Sequence, residues 1–248
     1  MEIYRKSEFA GLGNILICLC QLIGNCRNVS NTIYDNEFGS CIVLDSKYFN
    51  VIPDSPEYTS FDKCRIIINE ETLKYMYNTL QQIIRPTDFM IEQIYANIHL
   101  IDGVTCGINI RRGSYSEDSK QYSDDRALAP EHMFCNDKGL EKFKKIISDS
   151  PGKVYVSSDS PSTKKELKNI FGDKITMVET EFIHTSIDAN HSANRTLKNY
   201  RDVYLVWFLL SRCPRVFITA GLTNDVRSTY GLTAALYGRV PFEEIMSE

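Results

Sequence analysis

Two adjacent arginines, Arg111 and Arg112, follow an apolar segment and precede a glycine. Neighbouring guanidinium groups repel each other and are costly to desolvate together, so an anion beside them best explains the pair. The alternative is a pair of surface salt bridges. Because the arginines end a predicted strand and begin a polar loop, we favour the anion site, and a phosphate suits the forked guanidinium.

An acidic residue and two glycine-containing loops occupy similar places. Asp159 follows the apolar segment 153–157, and the sequences "TAGLTN" (219–224) and "GLGN" (11–14) each precede a predicted helix. The backbone N–H groups of such loops and the N-terminus of the next helix attract anions. These features therefore predict a site for a nucleoside diphosphate.

Each of these features also has a plainer interpretation. Asp159 could cap the helix that follows it, although Ser160 can already fill that role. "GLGN" could be an ordinary turn, and Thr223 and Asn224 could simply cap the next helix. The residues alone leave these alternatives open.

Alternating strand and helix patterns position these residues. The patterns predict strands over 41–44, 64–68, 104–110, 153–157, 174–178 and 215–219, and helices over 15–26, 70–84, 89–101, 137–149, 161–171, 200–212 and 226–237. Strands that alternate with helices over short links form parallel α/β sheets covered on both faces. Ligands bind beyond the carboxyl ends of such strands, where the arginines and Asp159 are expected to meet.

The composition excludes several kinds of partner. The 248 residues have a net charge of −4, whereas nucleic-acid-binding proteins usually present a basic face. No apolar run approaches the roughly 18 residues of a membrane span. The eight cysteines are scattered without a C-x-x-C pair, which is typical of reduced thiols in a cytoplasmic protein.

Four segments resemble motifs of the fucosyltransferase superfamily, which includes α1,2-, α1,6- and protein O-fucosyltransferases. "FAGLGNILICLCQL" is similar to its opening G-G-x-G-N-x-L-x-Q, and "GINIRRGSY" to its H-x-R-R-G-D-Y. "YVSSDSP" resembles its S/T-D-D/x-P segment, and the stretch 201–232 resembles the closing region that ends in S-T-F. The four matches occur in the family's order and are densest from 104 to 237.

The resemblance implies a GT-B fold with two Rossmann-like lobes and a cleft between them. Residues 1–101 would form the acceptor-side lobe, and residues 102–248 would bind the nucleotide sugar. The implied reaction inverts the anomeric carbon and needs no metal or other cofactor beside the GDP-sugar donor. Two features of the sequence agree: no D-x-D motif is present, and the four histidines have no convincing ligand spacing with the cysteines.

The resemblance also implies roles for individual residues. Arg111 would bind the β-phosphate and stabilise its growing charge, whereas Arg112 would be structural and pair with a carboxylate. Asp159 would accept hydrogen bonds from guanine, and Thr223 would contact phosphate. The complete set of implied donor-binding residues is Gly11, Gly13, Asn14, Asn109, Arg111, Asp159, Thr219, Thr223 and Asn224.

The sequence departs from the family pattern at two positions. Asn109 stands in place of the histidine before the arginines, and Ser114 in place of the aspartate after them. An asparagine amide can still hydrogen-bond a base or a ribose. Inverting transfer needs a carboxylate to take the acceptor's proton, and Glu117 and Asp118 follow in the same loop, with Glu117 ranked ahead.

These observations predict an enzyme that transfers fucose from GDP-fucose to a hydroxyl of a glycan or glycoconjugate. Phosphate-binding arginines do not identify the sugar, so transfer from another nucleotide sugar is an alternative. Because Asn109 and Ser114 depart from the pattern, a sugar-nucleotide-binding or glycan-binding protein without catalysis is a second alternative.

Overall fold

The computed structural model of the chain describes twelve stretches of sequence. They are residues 3–5, 12–25, 31–34, 41–46, 49–52, 59–60, 68–112, 115–116, 121–122, 135–180, 197–221 and 227–247. The helices in these stretches are α1 (Leu12–Asn25), α2 (Glu70–Ile83), α3 (Asp88–Asn97), α4 (Asp137–Asp149), α5 (Pro161–Phe171), α6 (Leu197–Leu210) and α7 (Thr229–Gly238). The strands are β1 (Ile3–Arg5), β2 (Asn31–Tyr34), β3 (Ile42–Leu44), β4 (Phe49–Ile52), β5 (Thr59–Ser60), β6 (Ile84–Pro86), β7 (Val104–Ile110), β8 (Tyr115–Ser116), β9 (Gln121–Tyr122), β10 (Lys153–Ser158), β11 (Ile175–Thr176), β12 (Val216–Ala220) and β13 (Phe242–Met246).

Both of the larger sheets are parallel. The first sheet has the strand order β4-β2-β1-β5, and the second has the order β11-β10-β7-β12-β13. In the second sheet the chain starts at β7, moves outward through β10 and β11, and returns to the other side of β7 at β12. The order of the strands therefore reverses between β7 and β12, and the crevice beyond their carboxyl ends is where such sheets bind ligands.

Helices cover both faces of the second sheet. On one face, α4 and α5 bury Phe143 and Leu167 in an apolar core with Cys106, Ile108 and Ile110 of β7. On the other face, α6 and α7 pack together, and α1 and α2 pack on α7. Buried residues of these four helices belong to one apolar core, so elements from both halves of the chain share it.

The helix boundaries follow from capping residues. The side chain of Asn136 accepts the N–H of Gly139 at the start of α4, and Ser160 accepts that of Thr163 at the start of α5. Proline at the first position of α5 has no N–H to lose. The predictions for 137–149, 161–171 and the strand 104–110 are confirmed to the residue.

Other predicted elements differ from the observed ones at their ends, and some observed strands were not predicted. The predicted strand 174–178 is reduced to two residues, Ile175 and Thr176, and residues 64–67 of another lie outside the described stretches. Strand β13 was not predicted, because its sequence, FEEIM, places two glutamates together. These glutamates form ion pairs with Arg215 and Arg227, which compensates for their charge at the sheet edge.

Candidate functional site

Arg111 lies at the carboxyl end of β7, beside the point where the strand order reverses. Its backbone N–H donates to Thr219 Oγ1 of β12 at 3.0 Å. Its carbonyl oxygen accepts the N–H of Cys135 at 2.7 Å. The backbone of Arg111 is thus held from two sides, while its side chain is 27% exposed. The partly exposed side chain of Arg111 therefore extends from a fixed backbone at the carboxyl end of β7.

Arg112 has the opposite environment, with a side chain that is 2% exposed. Its Nη2 donates to Asp137 Oδ1 at 2.5 Å, and its Nη1 donates to the carbonyl oxygen of Cys135 at 3.4 Å. Asp137 is the first residue of α4, where a negative charge is favoured by the helix dipole. The predicted structural role of Arg112, paired with a carboxylate, is confirmed.

Asp159 fixes the turn after β7 from the side of β10. Its Oδ1 accepts the backbone N–H of Arg112 at 2.7 Å, and its Oδ2 lies 4.0 Å from Arg111 Nη1. The side chain is 7% exposed. Since Ser160 provides the cap of α5, helix capping is not the role of Asp159. Its carboxylate instead aligns the two arginines.

Asn109 and Thr219 lie beneath the strand ends, 5% and 0% exposed. Thr219 Oγ1 donates to the carbonyl oxygen of Asn109 at 3.1 Å and accepts the N–H of Arg111. The Asn109 amide donates to Ser157 Oγ at 3.2 Å and accepts from Ser228 Oγ at 2.6 Å. These contacts join β7, β10, β12 and the start of α7.

Ser228 was not among the predicted site residues. It is the N-cap of α7, which begins at Thr229 and not at 226 as predicted, so capping of this helix does not require Thr223 or Asn224. A serine immediately before an apolar helix is a recognisable start signal, and it could have been found in "RSTY". Its contact with a residue as distant in sequence as Asn109 could not.

Gly13 brings α1 against the first turn of α7. A Cβ built at Gly13 would lie 2.3 Å from the carbonyl carbon of Thr229 and 2.4 Å from the backbone nitrogen of Tyr230. Only a glycine permits this approach. The prediction that "GLGN" is a loop before the helix is wrong for residues 12–14, which already belong to α1, and Gly13 places the start of α1 beside the start of α7.

Solved structures of fucosyltransferases share the fold of this chain. NodZ alpha-1,6-fucosyltransferase co-crystallised with GDP is 15% identical, with a TM-score of 0.60 over 98% of this chain and 95% of that one. Fucosyltransferase NodZ from Bradyrhizobium is 16% identical, with the same TM-score and coverage. POFUT1 in complex with GDP-fucose is 10% identical, with a TM-score of 0.53 over 99% and 97% of the two chains.

The chain has the fucosyltransferase fold. The predicted GT-B-like α/β class is confirmed, and the predicted resemblance to fucosyltransferases is confirmed at the level of the fold. No protein-family model matches the sequence, and no curated protein matches it. The likeness therefore rests on three-dimensional structure.

Within this fucosyltransferase fold, the structure brings together Arg111, Asp159, Asn109 and Thr219 of the predicted site. The backbone of Asn14 lies in α1, and its side chain is outside the described part. The remaining predicted residues, Gly11, Glu117, Asp118, Thr223 and Asn224, lie outside the described stretches. Their roles stay predictions.

The thiol of Cys135 is buried beside Arg112. Burial raises the pKa of Cys135 to about 12, and this outweighs the nearby Arg112, which lowers it. The thiol is therefore protonated at neutral pH.

Across the stretches that the structure describes, no three histidine, cysteine, aspartate or glutamate side chains cluster as a metal site would require. Within the same stretches, no helix is both long and apolar enough to cross a membrane.

Proposed function

We propose that the chain is a glycosyltransferase that transfers fucose from GDP-fucose to a hydroxyl group of a glycan or glycoconjugate. The observation that carries the proposal is the backbone of Arg111, held between Thr219 and Cys135 at the crevice of the second sheet. The fold adds support, since NodZ was crystallised with GDP and POFUT1 with GDP-fucose.

Arg111 is proposed to bind the β-phosphate of the donor. Negative charge develops on this phosphate as the sugar leaves, and a cation already fixed in place stabilises that charge without reorganising. A single preorganised donor of this kind contributes about 3 kcal/mol to the transition state. The fixed backbone of Arg111 and the carboxylate of Asp159 provide this preorganisation.

Asp159 is proposed to select guanine as well as to align the arginines. Guanine presents two adjacent donors, N1–H and its 2-amino group, and this pair suits a carboxylate. The carbonyl groups of a pyrimidine offer no such pair of donors. One carboxylate oxygen already accepts the N–H of Arg112. The contact with guanine is proposed in addition to this bond.

The acceptor hydroxyl is proposed to lose its proton to Glu117, with Asp118 as the alternative base. A carboxylate in this loop takes the proton while the hydroxyl oxygen attacks the anomeric carbon from the face opposite the departing GDP, which inverts that carbon. The sequence contains no D-x-D motif, so we propose that the reaction proceeds without a divalent metal.

A sugar-nucleotide-binding protein without catalysis is the second candidate. The observation that favours it is Asn109, which replaces a histidine of the family motif and whose amide is engaged with Ser157 and Ser228. Such a protein would bind GDP but neither hydrolyse nor transfer the sugar. Activity therefore separates the two candidates.

The test is a comparison of GDP, UDP, ADP and dTDP by thermal shift, followed by donor hydrolysis with a panel of nucleotide sugars. GDP at ~100 times its dissociation constant should stabilise the protein by about 2.7 kcal/mol, and more than the other diphosphates do. Equal shifts from all four would overturn the guanine contact alone. Absence of any shift would overturn the proposal, and loss of activity in EDTA would overturn the metal-free mechanism.

A further inference from the structure

We propose that Asn109 and Ser228 are a positioning pair that fixes the N-terminus of α7 relative to Arg111, so that both act on the same diphosphate. The proposal rests on the GDP-sugar site proposed above. It gives Asn109 a role within the protein in place of the predicted contact with the donor.

The contact between the two side chains is short and buried. Ser228 Oγ donates to Asn109 Oδ1 at 2.6 Å, and the two residues are 2% and 5% exposed. The hydroxyl also accepts the N–H of Gly231, but at 3.5 Å. The shorter of the two hydrogen bonds is the one to the sheet, so the hydroxyl of Ser228 mainly ties the helix to β7.

Gly231 permits this approach of the helix to the strand. A Cβ at that position would lie 2.8 Å from Asn109 Oδ1 and 2.7 Å from Ile218 Cγ2. A side chain of any other residue would push α7 away from β7 and lengthen the contact of Asn109 with Ser228. The close spacing is therefore a property of these three residues together.

Successive hydrogen bonds connect the helix to the arginine. Ser228 donates to the Asn109 side chain, Thr219 Oγ1 donates to the Asn109 carbonyl oxygen, and Arg111 N–H donates to Thr219 Oγ1. A displacement of α7 would thus be transmitted to the backbone of Arg111. The dipole of a helix gives its N-terminus a partial positive charge, which attracts phosphate as the guanidinium does.

A diphosphate gains from two positive groups only when their separation is fixed, because a shift of about 1 Å in a supporting group is enough to weaken a preorganised site. GDP, with its second phosphate, requires this fixed separation, whereas GMP does not. The preference for GDP over GMP is therefore the property that the pair controls.

The test compares the dissociation constants of GDP and GMP in Ser228→Gly, Asn109→Ala and the double variant. Glycine is nearly as good an N-cap as serine, so Ser228→Gly removes the link and retains the start of the helix. Each single variant should reduce the GDP-over-GMP preference about tenfold, as expected for one lost hydrogen bond in a charged site. The double variant should reduce it no further, because both changes break one link.

Ser160→Ala is the matched control. Ser160 is also a buried serine N-cap, 1% exposed, and it accepts the N–H of Thr163 at 3.3 Å without contacting Asn109. Its replacement should lower the melting temperature and leave the GDP-over-GMP preference unchanged. An unchanged preference in Ser228→Gly, or losses that multiply in the double variant, would overturn the pair alone. Failure of the unaltered protein to bind GDP would overturn the proposed function and the pair with it.

Discussion

Adjacent arginines can serve opposite purposes when the backbone turns between them. The strand end presents Arg111 to the crevice and directs Arg112 inward, so their side chains are 27% and 2% exposed. The buried guanidinium is stabilised by Asp137 and by the Cys135 carbonyl oxygen. Arg112 thus stabilises the turn from which the side chain of Arg111 extends.

Replacing each arginine by lysine should separate the two roles. Arg111→Lys should lower turnover by about 10²–10³ and weaken GDP binding, because an ammonium cannot reproduce the forked contact with phosphate. Arg112→Lys should instead lower the free energy of unfolding by about 1–3 kcal/mol, through lost buried hydrogen bonds. Turnover, GDP titration and urea unfolding measure these effects. An Arg111→Lys protein with parental turnover would make the exposed arginine an ordinary surface residue.

The proposed base should behave differently from the arginines. Glu117→Gln should leave GDP affinity nearly unchanged and lower transfer by about 10²–10⁴, the range expected for loss of a general base. Asp118→Asn is the matched control, since it removes a neighbouring carboxylate from the same loop. Steady-state transfer rates and GDP titrations of both variants decide between them, and a larger loss in Asp118→Asn would reverse the assignment.

At the scale of the elements, α7 is closely packed against both α1 and β7. The carbonyl group of its first residue faces Gly13 of α1, and its third residue, Gly231, faces Asn109 of β7. A glycine thus permits close packing on each of two sides. Displacing α1 would therefore also disturb the start of α7, which is linked by hydrogen bonds to the turn that carries Arg111 and Arg112.

Gly13→Ala should destabilise the protein although alanine favours helices. The added Cβ would collide with backbone atoms of Thr229, and overpacking of this kind costs about 3 kcal/mol. In the control, Gly139→Ala in α4, the added Cβ would lie 3.0 Å from the side chains of Cys135 and Ser247, which can adjust, so its cost should stay near 1 kcal/mol. Urea unfolding measures both, and equal stability of the two variants would contradict the close packing of α1 on α7.

The success of sequence-based prediction differs between elements for a physical reason. Helices α4 and α5 have local signals, since Asn136 and Ser160 cap them and apolar residues recur at helical spacing. Strands β1, β2 and β4 have three or four residues each, too few for a periodic pattern. At the site, the position of Arg111 could be predicted, because this residue directly follows an apolar strand. The bond between Asn109 and Ser228 joins residues 119 apart, and no local pattern encodes it.

At the scale of the whole molecule, the two halves of the chain share one core. Buried residues of α1 and α2 belong to the same apolar cluster as those of α6 and α7. We propose that the two predicted lobes, 1–101 and 102–248, unfold together because they share this core. Neither half could bury these surfaces alone.

Unfolding should consequently be a single transition. Trp207, the one tryptophan of the chain, is 1% exposed in α6, so its fluorescence reports the shared core, whereas far-ultraviolet circular dichroism reports the secondary structure of both halves. The two signals should change at the same urea concentration. Separate midpoints would show that residues 1–101 and 102–248 unfold independently.

Stability should decline in alkali because of buried thiols. Burial raises the pKa of Cys135 and of Cys213 from 9.0 to about 12. Between these values the unfolded chain releases the protons that the folded chain retains, so the free energy of unfolding falls as the pH rises from about 9 to about 12. Each thiol contributes a slope of up to about 1.4 kcal/mol per pH unit. Urea unfolding from pH 8 upward measures the slope, and Cys213→Ala should reduce it; an unchanged slope in that variant would assign the effect to other groups.

Arg112 is held by Asp137 and by the carbonyl oxygen of Cys135. The helix that begins at Asp137 contacts a segment that is translated much later. Asn136, which caps α4 beside Asp137, donates to the carbonyl oxygen of Ser247, 111 residues further along the chain. Lys142 of the same helix donates to the carbonyl oxygen of Met246. During synthesis, the arginine turn leaves the ribosome long before these partners exist. We therefore expect a nascent chain to complete the proposed diphosphate site only after the segment that forms β13 has been released from the exit tunnel.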